Sequence, residues 1–360
     1  MKKCSIRLSD RRGTVRRGRI GGYRPAAASR RRWILGAVIL GICAIGSGCG
    51  SSEETEKDSM RIGVSLYRGD DTFINNIRQE LETCAKEYEQ ETGIKVHLDV
   101  EEAKGNQYTQ NNQVERFIAL DCDVLCINPV DRTAASAVID KAMAGNVPVV
   151  FFNRQPVEED MNRWDELYYV AVSAKESAVL QGQIVVDSYR EDPSLLDSDG
   201  DGVISYVLLE GESSHQDSLI RTEWSIQTLK DAGVPIERIT GGIANWERSQ
   251  ASALMEQWLA QYPDTIELVI CNNDDMALGA IDAMERAGVS GIQVVGIDGT
   301  TPGLRAVESG KMMGTVSSDK EAYAQAIFTI AADKAMGKDV AEDIELENGK
   351  YYNCPQEIVR

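Results

Sequence analysis

Two successive trains of short apolar runs, each run followed by an amphipathic stretch, constrain this chain more than any other feature. RIGVSLY (61–67), KVHLDV (95–100), DVLCINPV (123–130) and VPVVFFN (147–153) are separated by segments of helical character such as NNIRQELETCAKEYEQETG. The pattern then begins again with VISYVLLEG (203–211), ERITGGI (237–243), IELVICNND (266–274) and IQVVGIDG (292–299), with SLIRTEWSIQTLKDAG among the segments between them. Apolar runs of this length suit strands covered on both faces, and the intervening helices supply the crossovers that a parallel sheet requires. The expectation is an α/β chain of two doubly wound parallel-sheet domains. Loops at the carboxyl ends of parallel strands project together, so two such units imply a cleft lined by strand-end residues.

With 360 residues, 42% of them hydrophobic, the chain is long enough for two cores. Its net charge of −19 is unevenly placed: residues 1–48 hold twelve Lys or Arg and one acid, Asp10, which leaves 26 basic against 56 acidic side chains from Cys49 onward. A body so acidic repels phosphate backbones, which argues against a nucleic-acid partner. The basic leader runs through SRRRW into WILGAVILGICAIGSG, 16 residues that stop at Cys49. That is short of the roughly 18–20 apolar residues a spanning helix needs. Small residues before a cysteine, GSGC, resemble a bacterial lipoprotein cleavage site, so residues 1–48 are expected to be a signal peptide and Cys49 the lipidated first residue. Gly46 stands where such sites usually carry leucine, and an uncleaved anchor is the alternative; either places the body outside the cytoplasm, held to the membrane at one end. SSEETEKDS follows without apolar periodicity and completes a polar tether over 49–59. Five cysteines remain in the body, Cys84, Cys122, Cys126, Cys271 and Cys354, an odd number without zinc-like spacing. They are expected to be small core hydrophobes.

Chemistry-bearing residues gather where strands are expected to end. The first unit offers Tyr67, Asp71 and Phe73 in YRGDDTF and Asn153 after VPVVFF; the second offers His215, Asp217 and Arg221 in EGESSHQDSLIR, Trp246 in IANWERS, Asn273 in CNNDD and Asp298 in GIDGT. A pyranose presents an apolar C–H face that packs on an aromatic ring, and a belt of hydroxyls that both donate and accept. Carboxylates accept from those hydroxyls, arginine donates and asparagine does both. A phosphate site would need more cations. Each residue also has a plainer reading: Tyr67 and Trp246 as core aromatics, Asp298 as a turn residue, Asp71 as a helix N-cap, Arg221 as an ion-pair partner. It is their joint placement at strand ends that favours a ligand site.

A second motif is DSDGDGVISYVL (197–208), with carboxylates at its first, third and fifth positions and glycine at its sixth. A calcium loop of the EF-hand type closes with glutamate at the twelfth position, where this chain has Leu208. On these residues alone a calcium loop and an acidic turn both stand.

RIGVSLYRGDDTF, VPVVFFNRQP, YYVAVSAKES, LLEGESSHQDSLIRT, ANWERSQA and VICNNDDMALGA together resemble the bacterial galactose/glucose-binding proteins of ABC sugar import, in order and spacing, from about Arg61 to Val359. The resemblance implies a type I periplasmic binding protein fold, two domains joined by a three-stranded hinge with crossings near Val172, Ser317 and Asn353. It assigns 60–171 with about 319–352 to one domain and 172–318 with about 353–360 to the other. It implies sugar contacts at Tyr67, Asp71, Phe73, Asn153, His215, Asp217, Arg221, Trp246, Asn273 and Asp298, with Phe73 and Trp246 sandwiching the ring. A family asparagine at the hinge falls on Ser318, which keeps a hydroxyl and loses reach. The resemblance also completes the acidic loop: calcium would be held by Asp197, Asp199, Asp201, the Val203 carbonyl and Glu267, with Ser205 replacing a family glutamine. The implied partners are a monosaccharide and the membrane subunits of an ABC transporter, a chemoreceptor being a further candidate, and the implied state is a monomer.

Competing functions lack their residues. The body has two histidines, His97 and His215, and no GxSxG, HExxH or GxxxxGK[ST] motif. Asp71 and Asp217 could face a sugar as a glycosidase pair. A lactose-repressor-like sensor shares the fold but would need an N-terminal helix-turn-helix, where this chain has an export leader. A pentose or furanosyl ligand in the same fold is the remaining alternative.

Overall fold

The central apolar runs become strands because they lie between two helical layers and have no solvent face to alternate toward, whereas KVHLDV and ERITGGI form edge strands that are only partly buried. The computed structural model describes residues 57–360; the leader, the tether up to Glu56 and the lipidation expected at Cys49 lie outside the described residues. The first sheet holds β1 (Ser59–Leu66), β2 (Lys95–Glu102), β3 (Val124–Ile127), β4 (Val149–Phe152), β5 (Leu167–Val172) and, from far along the chain, β11 (Tyr351–Cys354). All are parallel, in the order β11-β5-β4-β3-β1-β2. β3 and β4 are buried at every position, and their side chains alternate between two cores. Val124, Cys126, Val150 and Phe152 pack with α1 (Thr72–Thr92) and α10 (Lys320–Ala335), whereas Leu125, Ile127, Val149 and Phe151 pack with α2 (Gln107–Ala119) and α3 (Ala135–Gly145). A short α4 (Glu158–Met161) leads into β5.

The second sheet runs β7 (Ile236–Ile243), β6 (Ile204–Glu210), β8 (Leu268–Cys271), β9 (Gln293–Val295), again parallel. Val207, Leu209, Val269 and Cys271 pack with α7 (Arg248–Gln261) and α8 (Asp274–Ala287); Leu208, Leu268 and Ile270 pack on the face covered by α5 (Ala174–Glu191) and α6 (Gln216–Asp231). After β9, α9 (Thr301–Glu308) leads to β10 (Thr315–Ser318), which pairs antiparallel with β12 (Gln356–Val359) and touches the end of β9 through a Val295–Gly314 bridge. The chain therefore passes between the two lobes three times: from β5 to α5, from β10 to α10 and from β11 to β12. The five cysteines of the body are buried and unpaired, as small core side chains. No helix among the described residues is long and apolar enough to cross a membrane.

Five of the helices that follow strands start on a capping side chain at or just after the strand end. Asp71 caps α1, Ser173 caps α5, His215 caps α6, Asn273 caps α8 and Asp319 caps α10, each accepting a backbone N–H of the first turn. Asp71, His215 and Asn273 are also expected ligand contacts. In this fold the cap position and the cleft wall coincide.

Candidate ligand-binding site

Asp71 shows how one residue serves both ends. Its Oδ1 accepts from the Ile74 N–H at 2.9 Å, and its Oδ2 accepts from the Tyr67 hydroxyl at the end of β1. Phe73, one residue into α1, meets Tyr323 edge-to-face at 5.8 Å between centroids. Asn153 has φ +63° in a three-residue turn closed by the Arg154 N–H on the Phe152 carbonyl at 2.8 Å. Such a turn is strained, and asparagine tolerates it better than most residues. Two tyrosines hold it: Tyr323 Oη accepts from the Asn153 N–H at 3.0 Å, and Tyr169 Oη donates to the Asn153 carbonyl at 2.8 Å. Asn128 donates to the Asn153 side chain at 3.2 Å and so fixes the direction of its amide.

The second lobe contributes a charged, desolvated wall. His215 Nδ1 accepts from the Asp217 N–H at 3.1 Å, which leaves the ring proton on Nε2. Burial, reinforced by Arg154 and Arg221, holds its pKa well below the usual value, so the ring is a fixed neutral donor. Burial pushes Asp217 up to about 6 against the pull of Arg221, whose Nη2 lies 4.0 Å from its carboxylate. Arg221 Nη1 donates to the Asn272 carbonyl at 2.8 Å and to Asp298 at 3.2 Å. Burial raises the Asp298 carboxyl as well, despite that pair. Trp246 has φ +67° and lies flat against the backbone at Gly211, where a Cβ would fall 2.2 Å from its ring atoms. Asn273 caps α8 through Oδ1 and donates from Nδ2 to the Trp246 carbonyl at 3.4 Å.

These side chains line one cavity of about 30 Å³, which is lined by every expected sugar contact except Ser318. Ser318, at the end of β10, is buried, but it borders a separate crevice with Asp319 and Gln356, and its hydroxyl has no partner. Ser318 is not among the residues that line the cavity. Arg154 lines the cavity in addition, and sequence reasoning missed it. A cation directly after a strand-end contact, in so acidic a body, was the available signal.

The acidic loop gathers around Glu267. Carboxylate oxygens of Asp197, Asp199 and Glu267 lie within 4.8 Å of one another. Glu267 Oε1 accepts from the Ser198 N–H at 2.6 Å and Oε2 from the Ser205 N–H at 2.9 Å. Gly202, at the sixth loop position, has the positive φ (+89°) that the sharp turn demands. Asp201 stands outside the group of three; its carboxylate accepts from the Val203 N–H at 2.8 Å, and Ser205 engages Glu267 through its backbone. Asp197 Oδ1 is buried without a partner. Three carboxylates with an orphaned buried oxygen fit a hard cation that takes oxygen ligands.

Two parallel-sheet lobes, three connecting crossings and a small polar cavity at the strand ends define a two-lobed, cleft-forming binding protein. Residues 62–339 match the family described as periplasmic binding protein domain, and the chain belongs to that family. It is similar to the D-galactose/methyl-galactoside binding periplasmic protein MglB of Haemophilus influenzae, 32% identical over 310 residues, which are 86% of this chain and 92% of that protein. It is also similar to the xylitol-binding protein of Mycolicibacterium smegmatis, 28% identical over 309 residues, 86% of this chain and 80% of the other. Among solved structures it resembles an ABC transporter solute binding protein from Bacillus halodurans with bound myo-inositol. There the TM-score is 0.69 at 26% identity, over 85% of this chain and 96% of that one. These relatives are solute-binding proteins, and this chain is a solute-binding protein, not an enzyme.

Proposed function

We propose that this protein binds a monosaccharide, D-galactose or D-glucose, reversibly between its lobes and delivers it to the membrane subunits of an ABC transporter. The observation that carries the reading is the cavity itself. Phe73 and Trp246 offer flat apolar faces, while Asp71, Asp217, Asp298, Arg221 and two asparagines offer acceptors and donors suited to a belt of hydroxyls. The similarity to a D-galactose/methyl-galactoside binding protein supports the choice of hexose. Isothermal titration calorimetry with both sugars should give a single site of micromolar or tighter affinity for at least one. Absence of heat with either would remove the hexose reading. A different small polyol is the second reading, favoured by the similarity to proteins described with xylitol and myo-inositol; titration with those two compounds distinguishes it.

The loop at 197–205 with Glu267 would hold Ca2+ as a brace for the second lobe, far from any chemistry on the ligand. The orphaned Asp197 oxygen and the three converging carboxylates support that assignment. Asp201 and the Val203 carbonyl complete the proposed ligand set, and Ser205 stands at the ninth loop position. Cys49 would carry the lipid anchor of a monomer held outside the cytoplasm, with a chemoreceptor as a further partner. Mass spectrometry of the membrane-extracted protein tests the modification at Cys49.

A further inference from the structure

Two ion pairs cross the cleft, each joining a cation of the first lobe to an acid of the second. Arg154, directly after β4, meets Glu212, directly beyond β6, through two parallel bonds: Nη1 to Oε2 at 2.8 Å and Nη2 to Oε1 at 2.9 Å. Arg68 Nη1 meets Glu247 at 2.8 Å at the mouth, where both side chains are part exposed (23% and 31%). The two pairs differ in setting. The Arg154 side chain is 5% exposed, its guanidinium carbon stands 3.8 Å from the centre of the Tyr67 ring, and the residue lines the ligand cavity. Among the described residues of the first lobe, the hydrogen-bond acceptor for the Arg154 head group is the Val130 carbonyl, 3.0 Å from Nη1. Its charge is therefore completed by a residue of the other lobe. The strained turn at Asn153 aims Asn153 and Arg154 into the cleft side by side.

A buried cation that has lost its carboxylate is costly, whereas the same fork paired in both of its bonds is a strong, directional contact. The fork lies on Tyr67, and the Tyr67 hydroxyl donates to Asp71. Lobe contact, the plane of the Tyr67 ring and the orientation of the Asp71 carboxylate are thus joined through one guanidinium. We propose that Arg154 is a positioning residue of the ligand site that couples occupancy to closure: pairing with Glu212 latches the lobes and fixes Tyr67 and Asp71 against the bound ligand. This rests on the reading of the cavity as a sugar site. The Arg68–Glu247 pair, part exposed at both ends, is more open to screening by solvent and salt.

The test is a double-mutant cycle on Arg154→Met and Glu212→Gln in the purified protein. D-galactose, D-glucose, xylitol and myo-inositol are the probes, read by calorimetry, stopped-flow tryptophan fluorescence and solution X-ray scattering. Each single variant should weaken binding by roughly 5- to 150-fold, the usual span for coupling between an internal equilibrium and a site. The double variant should lose no more than the weaker-binding single. The loss should lie in faster dissociation, because the latch forms after the ligand has entered, and the ligand-bound variants should scatter as less compact particles than the bound parent. Additive losses, a change confined to the association rate, or affinity unaltered in both single variants would overturn the latch. Circular dichroism and melting of the ligand-free variants check the fold, and Arg154→Lys, which keeps the charge and loses the fork, should weaken binding in the same direction. A parent that binds xylitol or myo-inositol and neither hexose removes the hexose reading while the same cycle still judges the latch. A parent that binds none of the four removes both.

Discussion

Asp217 concentrates the electrostatics of the site. Its carboxyl is pushed up to about 6 because burial outweighs the attraction of Arg221 and Arg154. On the proposed sugar-binding reading, ligand hydroxyls would donate to the carboxylate, so the ligand would bind the deprotonated form. Affinity should be full above about pH 6 and fall as the pH drops through that value. Asp217→Asn should flatten the part of this slope that Asp217 causes, leaving any contribution of the likewise raised Asp298, and weaken binding by about 1.5–3 kcal/mol, the usual worth of a hydrogen bond to a charged group. Calorimetry between pH 5 and 8 reads both effects. Gly211 supplies a steric counterpart. Adding a Cβ there would drive the Trp246 ring into the cavity, since the ring atoms lie 2.2 Å from that position. Gly211→Ala should therefore abolish hexose binding while costing about 1–3 kcal/mol of stability from overpacking, read by titration and by thermal melting. Ser318 gives the opposite expectation. It is not among the residues lining the cavity, and Ser318→Ala should change affinity by no more than about twofold, as for a site without ligand contact. A larger loss would mean that the hydroxyl addresses the ligand.

At the scale of elements, the acidic loop and its distant glutamate depend on sheet register. β6 begins within the calcium-type motif, so the twelfth position, Leu208, is a buried strand residue with no room for a carboxylate. β8 pairs with β6, Tyr206 opposite Leu268, which sets Glu267 beside Ser205. The closing carboxylate thus comes from the neighbouring strand. Calcium binding to the folded state alone stabilises by mass action, about 2.7 kcal/mol at one hundred times the dissociation constant. A chelator should lower the melting temperature, calcium should restore it in proportion to its concentration, and Glu267→Gln should mimic the chelator and remove its effect. Differential scanning calorimetry decides, and an unchanged transition with chelator would leave the loop an acidic turn. The strands themselves were legible because buried runs such as VLCI and VVFF admit no solvent-facing alternation. Cap residues were legible in either of two roles, and Asp71 fills both because a strand end is also a helix start.

Across the whole molecule, binding and stability are linked because the cavity takes residues from both lobes: Tyr67, Asp71 and Asn153 from one, Asp217, Trp246 and Asp298 from the other. A saturating ligand should raise the melting temperature by the same mass-action relation, at about 2.7 kcal/mol for a hundredfold excess over the dissociation constant. The shift should grow with ligand concentration in thermal melts, and a compound that does not bind should leave the transition in place.

The eight strands of the two repeated trains, the two-unit plan, the acidic charge and ten of the cavity's residues were determined by the sequence itself. Each rests on local physics: a buried run has one period, a cap has few side chains to choose from, and strand ends of a parallel sheet must face the same way. Tertiary structure decided that Arg154 pairs across the lobes, that Asn128, Tyr169 and Tyr323 hold the strained turn at Asn153, and that Ser318 is not among the residues lining the cavity. Arg154 and Glu212 lie 58 residues apart on different lobes. No local pattern marks such a pair, because its partners are selected by how two separately folded sheets close on one another rather than by the period of either.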